Sequence, residues 1–520
     1  MNKINPSLVL QKIIAESSSD APTKRFVALN YNLWPIHVLT NLHILKLTQD
    51  LGLDALFVQT NIGSRPSYFH PYLSRRDSKL KNLLKELNIP NYEIKHWNYK
   101  DIVLDPEASS VLSSIRNIRN LAELKKLTWA GRPVGYSLSS SIVSQFYSTE
   151  IPASLIRFWA KKHFYSYIQG YQDAQYFHLN FGYSNFIIFN GRFPAPRGVK
   201  DYASEHNLLV IAHDISPDNS KFTFLTDAIH SPSSAIKFEE TIESIMGEEL
   251  KLEKMENFYS RRLNRETESV SRYSIHWESN SKTERPKKPY IAIYTSSDQE
   301  HFSINPERDF EDGQTQMEWL CNITRLLLSE NFAVAIRIHP NSEISLGTIR
   351  KKWLKEFSKH SGFYFFDQKS SINSYDLARE SEVVITTFST IAAECAFSGI
   401  PVINTGYPTY DMFINLDKCR KIEDLLPLVR RLVSSIQDSS RRDELKKGAL
   451  RYANFQTYRF FDFEFTPNVS EVDDPTAQLD SATRAYRDLR HMNRIERFLT
   501  KSIYYLKYKV LRILMDKLQT

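Results

Sequence analysis

The chain has 520 residues, enough for two or three domains of ordinary size. Its net charge of +7 sits in one place: Arg484–Thr520 holds 10 Lys/Arg against 3 Asp/Glu, and the rest of the chain carries 57 of each. A neutral body with a basic tail argues against a nucleic-acid-binding body, which would show a basic face. No apolar run reaches the ~18 residues of a spanning helix. The first 20 residues lack the apolar stretch and cleavage site of a secretory signal. Cys321, Cys395 and Cys419 lie far apart and suggest neither a disulfide framework nor a metal site. A cytoplasmic protein is the simplest reading.

In chain order, the first organised stretch reads as a strand (Phe26–Asn30), a helix (Pro35–Leu51) ended by Gly52, and a strand (Ala55–Thr60). A strand at "YEIKHW", a helix around Glu107–Leu127 and a long aromatic helix from about Pro152 follow. Strands are then expected at "NFIIFNGR" (185–192) and "NLLVIAHD" (207–214). Residues 247–286 are charged and end in a Ser-, Asn- and Pro-containing stretch, read as a helix and linker. A second alternation follows: strand "YIAIYTSS", helix 312–330, strand "AVAIRIHP", helix 347–360, strand "FYFF", helix 373–380, strand "VVITTF", helix 389–398, strand "PVIN". Alternating strands and helices imply doubly wound, mostly parallel sheets. The expected domains are 1–246, a linker at 247–286, 287–465, and a tail at 466–520.

The residues that suggest chemistry fall at strand ends. In the second half these are Thr295, Ser296 and Ser297; Arg337, His339 and Asn341; and Ser389 and Thr390. Parallel strands would bring these ends to one sheet edge, where ligands of such sheets sit. Arginine, histidine and hydroxyls there suit an anion, and a helix N-terminus adds free N–H groups.

The turn "TTFSTIAAECAFSG" holds two hydroxyls where phosphate loops usually show glycines. Ser389 or Thr390 is expected to cap the following helix with its side chain. Glu394 is out of register for a capping box. It lies one turn in, on the face of Thr390, free to accept hydrogen bonds from a diol such as a ribose. The competing reading makes the hydroxyls simple caps and Glu394 a solvated charge.

"RIHPNSE" and "SINSYDLARESEVVITTFSTIAAECAFSGIPVINTG" resemble the C-terminal half of capsule and surface polysaccharide biosynthesis proteins. They are more distantly similar to bacterial sialyltransferases, CDP-glycerol glycerophosphotransferases and non-hydrolysing UDP-N-acetylglucosamine 2-epimerases. The resemblance covers about 288–410 strongly and 25–245 weakly, and not the tail. It implies an α/β, GT-B-like architecture: two Rossmann-like domains facing a cleft, the C-terminal one holding a nucleotide sugar. It places His339, Ser389 and Thr390 on the donor phosphate, Glu394 on the ribose, and Ser374 and Tyr375 near the nucleotide. The "HP" and "ST" pairs resemble those of CMP-sugar-using enzymes. "EDG" at 311–313 looks like an acidic sialyltransferase motif but stands in the wrong half, and reads as a helix start.

A transfer also needs a base for the acceptor hydroxyl or charge stabilisation of the leaving phosphate. The first half offers Asp214, His37 and Arg192, in that order of preference. Each has a structural alternative: a turn residue in "DISPDN", a helix residue packed on Trp34, and an ion-pair partner. No carboxylate or histidine cluster has metal-ligand spacing, so neither metal nor cofactor is expected beyond the nucleotide-sugar substrate.

In the tail, Ile495, Phe498, Leu499, Ile503, Leu506, Val510, Ile513 and Leu514 form one helical stripe with lysines and arginines largely away from it. Such a basic amphipathic helix suits an anionic membrane surface, with docking on the body or a partner as the alternative. The expectation is a cytoplasmic glycosyltransferase, peripheral on the inner face of the plasma membrane, acting on a surface polysaccharide or lipid-linked glycan. The rival readings are a 2-epimerase or glycerophosphotransferase on the same scaffold, or a non-catalytic assembly or export factor.

Overall fold

The computed structural model describes residues 4–17, 25–31, 35–62, 84–97, 103–146, 149–216, 220–247, 252–263, 286, 289–297, 301–310, 314–339, 346–367, 370, 372–434 and 439–464. Asn341, the "EDG" stretch, Trp34, the 264–285 linker and the basic tail lie outside them.

These residues form two α/β units. The first contains α1 (Pro6–Ser17), β1 (Arg25–Asn30), α2 (Pro35–Asp50), β2 (Asp54–Ile62), β3 (Asn91–Trp97), α3 (Pro106–Ile115), α4 (Leu121–Lys125), α5 (Val134–Phe146), α6 (Ala153–Phe181), β4 (Asn185–Phe189), α7 (Pro194–Glu205), β5 (Leu209–Ile215) and β6 (Lys221–Thr226). The second contains α8 (Pro232–Met246), α9 (Leu252–Leu263), β7 (Tyr290–Tyr294), α10 (Gln316–Ser329), β8 (Ala333–Arg337), α11 (Leu346–Phe357), β9 (Phe363–Phe366), α12 (Ser374–Arg379), β10 (Val383–Thr386), α13 (Ile391–Ser398), β11 (Val402–Asn404), β12 (Asp417–Lys418), α14 (Leu425–Ser434) and α15 (Ser439–Tyr458). A last strand, β13 (Phe461–Asp462), returns to the first sheet.

The division differs from the expected bounds. It falls at Ile229/His230, so α8 belongs to the second unit, and residues from Phe460 rejoin the first. β13 pairs antiparallel with β6, which captures the chain at a sheet edge. The segment read as a single helix over 107–127 is two helices: Asp105 caps α3 through Ala108 N at 2.6 Å, and Asn120 caps α4 through Glu123 N at 2.8 Å.

Both sheets are built the same way. The first runs β13-β6-β5-β4-β1-β2-β3, parallel from β3 to β5; the second runs β12-β11-β10-β7-β8-β9, parallel throughout. In chain order within each unit this is the doubly wound arrangement, whose order reverses between β1 and β4 and between β7 and β10. The central strands β7, β8 and β10 are buried along their whole length, as strands covered by helices on both faces must be. Trp319, Ile323, Leu327 and Trp353 pack with Ile291, Ile293, Val334 and Ile336 in the core of the second unit. Each such fully buried side chain contributes roughly 1.5–3 kcal/mol of hydrophobic stabilisation.

Candidate functional site

At the carboxyl edge of the second sheet, several expected ligand hydroxyls are spent on the protein itself. Thr295 Oγ1 accepts from His339 N at 2.8 Å, and Ser296 Oγ accepts from Phe388 N at 3.2 Å. Gln316, the first residue of α10, ties the loops together. Its Oε1 accepts from Ser296 N at 2.7 Å and Thr387 Oγ1 at 2.6 Å, and its Nε2 donates to Ser296 O at 3.0 Å. Thr295 and Ser296 thus set the shape of the switch point rather than offering hydroxyls to an anion. Nothing in the sequence singled out Gln316.

Arg337 ends β8 buried, 7% exposed. Its Nε donates to Ser374 Oγ at 3.3 Å, and a second guanidinium nitrogen donates to Asp367 O. Ser374 opens α12, and its carbonyl accepts from Tyr294 OH at 2.6 Å. Asn373 caps the helix through Tyr375 N at 2.9 Å. Arg337 and Ser374 are therefore one assembly, and His339 joins it through Thr295, whose backbone N–H donates to Arg337 O at 3.1 Å. Burial and the neighbouring Arg337 push the His339 imidazole down to about 4, so it is neutral at pH 7.

The turn that opens α13 differs from expectation in one respect. Thr390 is the N-cap, but no side chain caps the helix. The first turn closes on backbone carbonyls instead: Ser389 O accepts from Ala392 N at 3.2 Å, and Thr390 O from Ala393 N at 2.9 Å. Thr390 has αR dihedrals, which turn its side chain away from the N–H groups a cap would reach. Ser389 is partly buried and Thr390 is exposed. Gly399, at φ +72°, ends the helix in the left-handed conformation.

Glu394 is not solvated. It is 3% exposed, and its Oε1 lies 2.9 Å from Arg262 Nε on α9. Its Oε2 is buried with no partner among the described residues. Burial raises its pKa, and the Arg262 charge opposes that rise. Arg262 also hydrogen-bonds Tyr375, so Tyr375, Arg262 and Glu394 form a second assembly. α9 is held against α13 by Tyr259, which stacks on Phe397 with ring centroids 4.7 Å apart and donates to Ala449 O at 2.7 Å. Sequence reasoning missed Arg262 because it stood in a charged segment read as a connector. The signal was there: Met255, Phe258, Tyr259 and Arg262 recur at helical spacing on one face.

In the first unit, β4 is followed by two left-handed residues, Asn190 (φ +60°) and Gly191 (φ +82°). Asn190 Nδ2 donates to Asp214 Oδ2 at 2.7 Å, and Asp214 Oδ1 accepts from Ile215 N at 2.9 Å. Asp214 lies inside β5, opposite Thr223 of β6. It therefore sits in the ladder and not at a turn. His37 is buried, with its ring 4.0 Å from Phe189 and 6.0 Å from the fully buried His213. Burial holds it down to about 3, which makes it a weak base. Arg192 lies over the Phe193 ring at 4.7 Å, and Phe193 stacks on Phe189 at 5.7 Å. The structure thus joins Asp214 to Asn190, and a ladder of rings, His37–Phe189–Phe193, runs to Arg192. Among the described residues no cluster could hold a metal ion.

No family model matches the chain, and no curated protein does. Among solved structures, the chain is similar to the KpsC β-Kdo 2,4-transferase of Thermosulfurimonas dismutans at 15% identity over 52% of this chain and 80% of that one, with TM-score 0.34. It is similar to the UDP-GlcNAc 2-epimerase of Methanocaldococcus jannaschii at 11% identity, over 83% and 99% of the two chains, with TM-score 0.29. It is also similar to a glycosyltransferase of Rickettsia africae at 11% identity, over 84% and 94%, with TM-score 0.27.

Proposed function

We propose that the chain is a glycosyltransferase that moves a sugar from a nucleotide donor to a surface polysaccharide or lipid-linked glycan. One observation carries the reading. At the carboxyl edge of a doubly wound sheet, a helix with no side-chain cap presents Ser389 and Thr390, and one turn in a buried carboxylate keeps an oxygen with no partner among the described residues. Helix N–H groups and hydroxyls suit the donor phosphate. The spare Glu394 oxygen suits a ribose hydroxyl. Arg337 adds charge and the neutral His339 an imidazole on the neighbouring strand, with Asn341 next to them in sequence. Ser374 and Tyr375 position those groups. In this reading protein groups, without a metal, meet the phosphate charge.

The chemistry follows. An acceptor hydroxyl oxygen attacks the anomeric carbon, the bond from that carbon to the phosphate oxygen breaks, and the nucleotide leaves with the electron pair. The acceptor proton passes to a base, for which Asp214 is the choice. Its carboxylate is fixed by Asn190, whereas His37 is too weak a base where it lies. A CMP-sugar is among the donors to try first.

Incubation with UDP-, GDP- and CMP-sugars, followed by product analysis, tests this. Transfer to a glycan supports it; an epimerised donor or transfer of glycerol phosphate replaces it. No described helix is long and apolar enough to cross a membrane. The composition of Arg484–Thr520 supports docking on an anionic bilayer from the cytoplasmic side. Deletion of 484–520 then releases the protein from anionic liposomes, and unchanged binding removes that part of the proposal.

A further inference from the structure

The turn between β10 and α13 is held from two sides. Phe388 N donates to Ser296 Oγ at 3.2 Å, and Thr387 Oγ1 donates to Gln316 Oε1 at 2.6 Å, which ties the turn to the loop after β7 and to α10. From the other side, Tyr410 OH donates to Ser389 O at 3.0 Å. The backbone N–H groups of Ser389, Thr390 and Ile391 have no hydrogen-bond partner among the described residues.

Tyr410 reaches Ser389 because the chain after β11 is fixed at close range. Thr405 N donates to Thr386 O at 2.8 Å, which carries the pairing of β10 and β11 one residue further. A Cβ on Gly406 would stand 2.3 Å from Thr387 O, so only glycine lets the two backbones come this close. Asn404 closes the loop. Its Oδ1 accepts from Gly406 N at 3.1 Å, and its Nδ2 donates to Asp411, whose other oxygen accepts from Arg420 at 2.8 Å. Asp411 follows Tyr410 directly, so the tyrosine is anchored at its own backbone. The Tyr410 side chain is buried and meets Tyr452 of α15 edge-on, with ring centroids 5.8 Å apart. Burial holds the phenol well above its ordinary value, so it stays protonated and donates.

The peptide bond converts that hydrogen bond into an orientation. A trans peptide is planar, with its C=O and N–H pointing in opposite directions. The Ser389 carbonyl and the Thr390 N–H belong to one peptide unit. The carbonyl's other donor among the described residues is Ala392 N at 3.2 Å, a bond of the helix's own first turn. We propose that Tyr410 is a positioning residue of the donor site: by holding the Ser389 carbonyl it aims the Thr390 N–H at the phosphate of the nucleotide. Tyr410 acts on the ligand only through that peptide. An N–H already fixed loses little freedom when an anion arrives, so the hydroxyl contributes to affinity without touching the ligand. The role rests on the reading of this turn as the donor phosphate site.

Calorimetric titration of the full chain with CMP, UDP and GDP, beside the variants Tyr410→Phe and Tyr452→Phe, tests it. Each variant keeps its ring and loses one buried hydroxyl, and only the first touches Ser389. Tyr410→Phe should weaken whichever nucleotide the parent binds roughly fivefold, and Tyr452→Phe should leave it within about twofold. The phosphorus NMR signal of the bound nucleotide should shift in Tyr410→Phe and stay at the parent's position in Tyr452→Phe. Cooperative thermal unfolding of both variants shows that they are folded. Equal affinity and an unmoved phosphorus signal in Tyr410→Phe refute the role, and so does equal weakening by both variants, which makes Tyr410 a packing residue. If the parent binds none of the three nucleotides, the donor reading itself fails and this role falls with it.

Discussion

Arg262 Nε stands 2.9 Å from one oxygen of the Glu394 carboxylate, and the other oxygen is buried with no partner among the described residues. The two residues are 132 positions apart, on α9 and α13. One oxygen is thereby neutralised and fixed, and the other is buried without a partner among the described residues.

The open oxygen makes a prediction about nucleotides. Glu394→Gln keeps the volume but loses a charged acceptor, and weakens nucleotide binding roughly tenfold; Glu394→Ala weakens it further. Thermal-shift titrations with CMP, CDP, UDP and GDP read this directly. Absence of any shift in the parent chain would remove the nucleotide site.

The paired oxygen makes one about stability. Arg262→Met strands a buried carboxylate and destabilises the chain by about 2–3 kcal/mol, less than for a wholly buried pair because the Arg262 side chain is partly open to solvent. The double variant Arg262→Met/Glu394→Leu recovers most of that loss, measured by urea unfolding. Independent, additive losses would show that the two side chains are not coupled.

Asp173 gives stability a dependence on pH. Burial lifts its folded-state pKa to about 7, above the ordinary carboxylate value of 3.8, so between those limits the native chain holds a proton that the unfolded chain releases. The stability of this group is full below ~pH 4 and is lost as pH rises through ~7, by about 4 kcal/mol at most. Asp173→Asn therefore gains on the parent between about pH 5 and pH 8. Unfolding midpoints at the two pH values check it; a constant difference would contradict the assignment.

Two glycines separate steric from conformational cost. A Cβ on Gly170 would meet Ala195 O at 2.0 Å, backbone against backbone, so Gly170→Ala destabilises by about 2–3 kcal/mol. Gly52, at φ +75°, has open space around it, so Gly52→Ala costs only about 1 kcal/mol. Thermal denaturation of the two variants should rank them in that order.

Most strands of both units could be read from the sequence because each is a short run of apolar residues bounded by turn formers. β6, β12 and β13 could not, because each gains its place by pairing with a strand already formed. At the candidate site, Ser389, Thr390 and Glu394 were legible from one local turn. Arg262 and Gln316 were not, because each acts on a residue far away in sequence.

The sequence alone determined two alternations of strand and helix, the strand ends at which polar residues gather, and a basic tail set apart from a neutral body. These depend on periodicity and composition, which are local. Only the tertiary structure decided which polar groups are used up and which remain open. It spent Thr295 and Ser296 on the loops, buried His37 as a neutral ring, and left one oxygen each of Glu394 and Asp173 without a partner among the described residues. Hydrogen-bond satisfaction depends on neighbours brought together by packing, and no window of the chain contains them.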